Sequence, residues 1–126
     1  MRIKAIEHIA LAMPAGGEAQ ARAFYSGILG IPEVVKPKHL AERGGCWFES
    51  GTLKVTLATD PDFRPALRAH PAFVVDDLDN LCDHFTKVGV HVRKASPLED
   101  YAHAFVHDPF GNRIELMEPL ANPDGS

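Results

Sequence analysis

Two segments of the chain, residues 8–13 and 70–75, alternate between larger apolar side chains and small or polar ones. A period of two is typical of a β-strand with one face against a core. Each segment is followed by apolar positions at helical spacing and then by a glycine, Gly30 in the first case and Gly89 in the second. The pattern therefore predicts a strand and an amphipathic helix that ends at a glycine, twice along the chain.

The two predicted helices carry matching apolar stripes, in which residues three or four positions apart share one face. Asp76 and Asp77 precede the second stripe and are possible N-caps. The stripes are Ala21, Phe24, Tyr25, Ile28 and Leu29 in the first helix, and Leu78, Leu81, Cys82, Phe85 and Val88 in the second.

Three short β-type segments follow each helix, so that each half of the chain has the order βαβββ. They are 33–36, 45–48 and 53–59 in the first half, and 91–94, 101–107 and 113–118 in the second. Gly30 and Gly89 are 59 residues apart, and the same offset aligns Thr52-Leu-Lys-Val-Thr-Leu with Gly111-Asn-Arg-Ile-Glu-Leu. We therefore expect one domain of two modules, about 1–62 and 63–119, with a flexible tail at 120–126.

Composition and charge narrow the class of protein. The 126 residues are 45% hydrophobic and 24% charged, which is typical of one globular domain. The two cysteines form no CxxC pair, so we expect no disulfide scaffold or zinc ribbon and a reducing, cytoplasmic setting. The net charge is −4 with scattered basic residues, which argues against a nucleic-acid partner. The longest apolar run, residues 9–15, is too short to span a membrane, and Glu7 and His8 interrupt any signal peptide.

Strand parity groups the candidate chemistry on one face of the predicted sheets. The face opposite the apolar positions carries His8, Thr56, His70 and Glu115 together with several alanines. If the sheets curl so that these faces look inward, two imidazoles and one carboxylate converge on a cleft with room for a ligand. Two histidines and one carboxylate form the facial set associated with non-haem iron, which leaves positions open for water or substrate.

Four motifs, together with the paired modules, resemble the vicinal oxygen chelate superfamily, the group of glyoxalases, bleomycin-resistance proteins and extradiol dioxygenases. The motifs are Ile6-Glu-His-Ile-Ala-Leu, Ala23-Phe-Tyr-Ser-Gly-Ile-Leu-Gly-Ile, His70-Pro-Ala-Phe-Val-Val-Asp and Asp108-Pro-Phe-Gly-Asn-Arg-Ile-Glu-Leu. The resemblance covers about residues 3–119 and is to a member with a single pair of modules. It implies an α+β fold in which two βαβββ modules form a curled, eight-stranded half-barrel cleft with helices outside, and it implies a homodimer.

The resemblance also implies metal ligands on the first and last strand of each module, which map onto His8, Thr56, His70 and Glu115. Thr56 departs from glyoxalase I, which has a glutamate at that position. The remaining set of His8, His70 and Glu115 resembles the three-ligand site of extradiol dioxygenases and fosfomycin-resistance thiol transferases. Extradiol enzymes usually have two paired units, and the thiol transferases would have a threonine at Ala10. The implied cofactor is one divalent ion, Fe(II), Mn(II), Ni(II), Co(II) or Zn(II).

Tyr101, His103 and Phe105 share one face of the seventh strand, which lines the cleft by resemblance. His103 is a candidate general acid or base, and Tyr101 a candidate to orient a substrate oxygen, with surface roles as the alternative. Arg113 shares the parity of Glu115, so it attracts an anionic substrate or else lies in water at the strand end. The full set of candidate substrate-binding residues is Ala10, Trp47, Thr56, Phe105 and Arg113.

These observations leave alternative functions open. The first is a metal-dependent enzyme of the glyoxalase or dioxygenase type that acts on a small oxygenated organic molecule chelated to the ion. The second is a non-catalytic protein that binds a drug or metabolite, as bleomycin-resistance proteins do. A third is a cleft kept as an interaction surface. The set of two histidines and one carboxylate favours the enzyme, whereas Thr56 favours the binding protein.

Overall fold

The computed structural model of the chain describes residues 1–121, so most of the predicted tail at 120–126 lies outside the described residues. The chain divides into two compact units, Met1–Pro65 and a second unit that begins at Ala66. Each unit contains one four-stranded sheet. The two units are described in turn.

The first unit has the predicted order of strand, helix and three strands. Its sheet has the order β1-β4-β3-β2, in which β1 lies parallel to β4 and the other neighbours are antiparallel. The elements are β1 (Ile9–Met13), α1 (Glu18–Ala21) continued by a π-helix (Arg22–Ile28), β2 (Glu33–Val34), a 3-10 helix (Lys38–Arg43), β3 (Cys46–Ser50) and β4 (Leu53–Thr59).

The second unit repeats this topology. Its sheet has the order β5-β8-β7-β6, in which β5 lies parallel to β8 and the other neighbours are antiparallel. The elements are β5 (Ala72–Val74), α2 (Leu78–Lys87), β6 (Arg93–Leu98), β7 (Tyr101–His107) and β8 (Arg113–Pro119). The α+β class and the repeated βαβββ order are thus confirmed as two four-stranded mixed sheets. No helix among residues 1–121 is long and apolar enough to cross a membrane.

The helix of the first unit differs from the predicted regular α-helix. Its second half is a π-helix, with the Leu29 N–H donating to the Phe24 carbonyl at 2.9 Å. A π-helix takes more residues per turn than an α-helix, so an apolar stripe at α-helical spacing rotates away from the core. Accordingly Tyr25 is fully buried, whereas Ile28 and Leu29 remain partly exposed.

The observed bounds of several strands differ from the predicted ones, and two of these differences change the description of the sheet edges. The predicted strand 33–36 is shortened to Glu33–Val34, and the chain then enters the 3-10 helix after Pro37. The predicted strand 91–94 is shifted to Arg93–Leu98 and contains Pro97. A proline is tolerated there because β6 is an edge strand, and the register is irregular between Ala95 and Leu98.

Each unit buries one face of its sheet against its helix. In the first unit the rings of Tyr25 and Phe48 stack at 5.5 Å between centroids. In the second, Phe85 of α2 is fully buried, and Asp77 caps that helix by accepting a hydrogen bond from the backbone N–H of Asn80 at 3.1 Å. The candidate functional residues lie on the opposite faces of the sheets. Cys46 and Cys82 are buried free thiols, as small apolar residues would be.

Candidate functional site

In each sheet, three neighbouring strands place one residue each side by side, and the three positions in the first sheet correspond to the three in the second. In the first sheet Ala10 and Trp47 both lie beside Thr56. In the second, Ala72 and Phe105 both lie beside Glu115. The strand register thus agrees with the sequence repeat: Thr56 occupies in the first module the place that Glu115 occupies in the second.

The second unit brings three of the predicted site residues into direct contact. The Nε2 atom of His70 lies 2.9 Å from Oε1 of Glu115, and the Nδ1 atom of His103 lies 2.8 Å from Oε2. The side chain of His70 is 24% exposed, that of Glu115 12% and that of His103 10%. Both carboxylate oxygens of Glu115 are therefore engaged by imidazoles at the edge of solvent.

Backbone carbonyls hold the other nitrogen of each ring. His70 Nδ1 lies 2.7 Å from the carbonyl oxygen of Arg68, and His103 Nε2 lies 2.9 Å from that of Ser96. A carbonyl oxygen only accepts hydrogen bonds, so these two nitrogens are the donors. Ser96 is placed for this role by the irregular part of β6. The two anchors fix the ring orientations and turn the second nitrogen of each ring toward Glu115.

Glu115 is the acidic centre of this cluster. Partial burial by itself raises the pKa of its carboxyl group, but hydrogen bonds from His70 and His103, together with electrostatic attraction to the two rings, outweigh that and hold the pKa below its usual value. The carboxyl group is therefore ionised at neutral pH, as a metal-binding role requires.

This lowered pKa predicts a loss of stability in acid. A carboxyl group whose pKa is lower in the folded than in the unfolded state stabilises the fold above its unfolded value, here 4.5, and loses that contribution as the pH falls through the folded value. Urea unfolding of the metal-free protein measures this change. Near neutral pH the free energy of unfolding of wild type should exceed that of Glu115→Gln, and the difference should shrink below about pH 4.5. Exposed Glu99 is the control: Glu99→Gln should parallel wild type, and an advantage of wild type over Glu115→Gln that does not change with pH would contradict the assignment.

The turn before β8 positions Glu115. The Oδ1 atom of Asp108 accepts hydrogen bonds from the backbone N–H groups of Phe110 and Asn112, at 2.9 and 2.8 Å, and Oδ2 accepts one from the side chain of Asn112 at 2.8 Å. Asp108 and Asn112 are buried, and Gly111 has a φ of 93°, which favours glycine. The turn thus has a structural role, because its hydrogen bonds fix the start of β8.

A second set of side chains, on the same face, contacts the ring of Phe105. The guanidinium carbon of Arg113 lies 4.3 Å from the ring centroid, and that of Arg93 lies 4.5 Å from it. The imidazoles of His70 and His103 meet the same ring edge-on at 5.8 and 5.5 Å. Arg93 is absent from the sequence prediction, although its place as the β6 register partner of Phe105 could be guessed once the strand bounds are known.

The remaining predicted residues lie in or directly beside the strands. His8 belongs to the first unit, directly before β1; its side chain is 47% exposed, with Nδ1 3.7 Å from a carboxylate oxygen of Glu7. Trp47 is partly exposed and Phe48 is fully buried, so Trp47 is the one that faces away from the core. Tyr101 begins β7 and is partly exposed.

The cluster in the second unit contains atom types that bind divalent metals in proteins. Imidazole nitrogen and carboxylate oxygen are ligands for first-row divalent ions, and a ligating histidine typically donates its other N–H to a carbonyl or carboxylate, as His70 does to Arg68. Within residues 1–121 no three His, Cys, Asp or Glu side chains surround a common point as metal ligands do. Instead, the nitrogens of His70 and His103 contact the oxygens of Glu115 directly.

Comparisons with known proteins agree with the fold. A glyoxalase family protein from Bacillus anthracis is 42% identical, with a TM-score of 0.91 over 95% of this chain and 98% of that one. The fosfomycin resistance protein FosX from Listeria monocytogenes is 15% identical, with a TM-score of 0.75 over 94% and 96% of the two chains. TnmS3, an antibiotic binding protein from Streptomyces sp. CB03234, is 22% identical, with a TM-score of 0.72 over 94% and 100%.

The sequence profile of one family covers most of the chain. None of the curated proteins is similar enough in sequence to count as a match. The profile of the Glyoxalase/Bleomycin resistance protein/Dioxygenase superfamily, in contrast, matches residues 5–116. The chain therefore belongs to the glyoxalase, bleomycin resistance protein and dioxygenase superfamily.

Proposed function

We propose that this protein is a metal-dependent enzyme that acts on a small oxygenated organic molecule at the open face of the second sheet. The observation that carries the proposal is the contact of both Glu115 oxygens with His70 and His103, at 2.9 and 2.8 Å. Superfamily membership supports it, because the sequence profile that matches residues 5–116 includes metal-dependent enzymes.

His70 and Glu115 are the proposed ligands from the second unit. The Nδ1–H of His70 is held by the Arg68 carbonyl, so Nε2, on the side of Glu115, is the nitrogen that would bind the ion in place of its contact with Glu115. His8, in the first unit, stays the third ligand predicted from the sequence. These three residues would hold a divalent ion of the set Fe(II), Mn(II), Ni(II), Co(II) or Zn(II), which would supply polarisation of a substrate oxygen or a lowered pKa of bound water.

The remaining residues of the site bind substrate and hold protons. Both nitrogens of His103 face acceptor oxygens, so the ring carries two protons when both contacts are hydrogen bonds. Its Nδ1–H orients the Glu115 carboxylate and can be given to a basic oxygen of the substrate. Ala72, beside Glu115 in the register, leaves space for that substrate, and Tyr101 is the proposed donor at the end of the strand.

Metal titration of the His70→Ala protein tests this proposal. Wild type, followed by calorimetry with Co(II), Ni(II), Mn(II) and Zn(II), should bind about one ion per chain, and His70→Ala should lose at least about 100-fold in affinity. His91→Ala is the matched control, because His91 is exposed and outside the cluster. Equal affinities of the two variants would exclude His70 as a ligand.

A non-catalytic protein that binds a small molecule is the second candidate. Thr56 favours it, because the first module offers a hydroxyl at the place where the second has a carboxylate. TnmS3, which shares the fold, is an antibiotic binding protein. A wild-type chain that binds none of the ions, yet binds aromatic or antibiotic ligands, would favour this candidate over the enzyme.

The proposal extends to assembly and location. We propose a homodimer, following the superfamily resemblance, and a cytoplasmic location, which suits the free thiols of Cys46 and Cys82. Sedimentation equilibrium should give twice the mass of one chain. A monomer at micromolar concentration would contradict the dimer.

A further inference from the structure

Two arginines contact one aromatic ring on the face of the second sheet that carries His70, His103 and Glu115. Arg93 is the register partner of Phe105 on β6, and Arg113 reaches the ring from β8. Both distances are measured to the same centroid, so the two guanidinium carbons are no farther apart than the sum of 4.3 and 4.5 Å. Two positive charges are therefore held against one neutral ring.

No carboxylate compensates these charges in the part of the chain that the structure describes. Neither Arg93 nor Arg113 forms an ion pair among residues 1–121. Glu115, their acidic neighbour on the same face, has both oxygens engaged by His70 and His103. The ring attracts each guanidinium through its π electrons but does not neutralise it. The pair thus leaves a local excess of positive charge in a protein whose net charge is −4.

A guanidinium stacked on a ring keeps its donors free. Its N–H groups point outward in the plane of the group, in a fork that matches a carboxylate or phosphate. Phe105 is 9% exposed, so its ring is held in place while it contacts both guanidinium groups. The ring therefore acts as a rigid support, and the cost of ordering two long side chains is met before any ligand arrives.

We infer that Arg93 and Arg113 form a binding site for an oxyanion, a carboxylate or phosphate group, on a small organic anion. The inference rests on the proposed function in one respect, since it names the substrate class of that same face. Phe105 lies directly beside Glu115, and neighbouring strands are about 5 Å apart. The anionic group of a bound ligand would thus lie a few atoms away from those ligand oxygens that contact Glu115 and His70. The ligand is therefore a small organic acid rather than a long neutral molecule.

Binding of benzoate and benzamide to the metal-free protein tests the inference. The two probes have nearly the same shape, but only benzoate carries a negative charge. Chemical-shift titration in low-salt buffer passed over a chelating resin should show benzoate binding at least about tenfold more tightly than benzamide. Arg93→Gln and Arg113→Gln should each weaken benzoate about tenfold and leave benzamide unchanged.

Two controls separate charge at this site from charge elsewhere. Arg64→Gln removes one exposed positive charge from the first unit and should bind benzoate as wild type does. Arg113→Lys keeps the charge without the planar fork and should retain part of the affinity. Equal binding of benzoate and benzamide, or equal loss with Arg64→Gln and Arg113→Gln, would overturn the inference. Because no metal is present, this result does not depend on the metal titration, so the two proposals can fail separately.

Discussion

The Glu115→Gln protein is expected to lose at least about 100-fold in affinity for a divalent ion, a larger loss than the tenfold to hundredfold that follows the removal of partners around a ligand. The substitution keeps the size of the side chain but removes its charge. An amide also presents an N–H group where Glu115 presents an oxygen to His70 or His103, so one of these two contacts is lost.

Glu99→Gln is the matched control for this change. Glu99 is exposed in the turn between β6 and β7. Its substitution removes the same charge from the same unit without changing the cluster of His70, His103 and Glu115. Calorimetry at neutral pH should place Glu99→Gln at wild-type affinity. Full metal affinity in the Glu115→Gln protein would show that the carboxylate is not a ligand, whatever its contacts with the histidines.

Gly45→Ala is expected to destabilise the first unit by at least about 3 kcal/mol, in the range of severe core substitutions. A Cβ atom at this position would lie 2.0 Å from the backbone carbonyl oxygen of Leu57, and the φ of 83° disfavours any side chain. Because the contact is with backbone, neither side can move without disturbing the pairing of β3 with β4. That pairing sets Trp47 beside Thr56.

Gly51→Ala separates the close contact from the backbone strain. Gly51 also has a positive φ, of 60°, but a Cβ there would meet nothing within 4 Å. Its substitution should therefore cost only the left-handed backbone term, about 1 kcal/mol. Urea unfolding of the two variants measures both values, and similar losses for Gly45→Ala and Gly51→Ala would mean that the chain absorbs the contact with Leu57.

Much of the fold follows from periodicity alone. Alternation and helical spacing predict both βαβββ modules, and the glycine stops at Gly30 and Gly89 are confirmed by φ values of 76° and 84°. The π-helix is not predicted, because its apolar residues keep the spacing of an ordinary α-helix. The bounds of β6 are also missed, since Pro97 suggests a strand end until the strand is known to be an edge.

The candidate site is predictable in its faces but not in its contacts. Parity puts His70, His103 and Glu115 on one face, yet parity does not say which residues of neighbouring strands lie side by side. The contact of His103 with Glu115 depends on the register of β7 against β8, and its anchor to Ser96 depends on the irregularity in β6. The stacking of Arg93 on Phe105 depends on the same shifted strand.

The metal content of the untagged protein, purified without chelator, tests the central claim most directly. Elemental analysis should find about one equivalent of a first-row divalent transition metal per chain, retained in His91→Ala and lost in His70→Ala. The claim is contradicted if wild type holds no more metal than His70→Ala, even after anaerobic incubation with Fe(II), Mn(II), Ni(II), Co(II) and Zn(II) in turn. The face around Glu115 would then belong to a protein that binds small molecules without a metal.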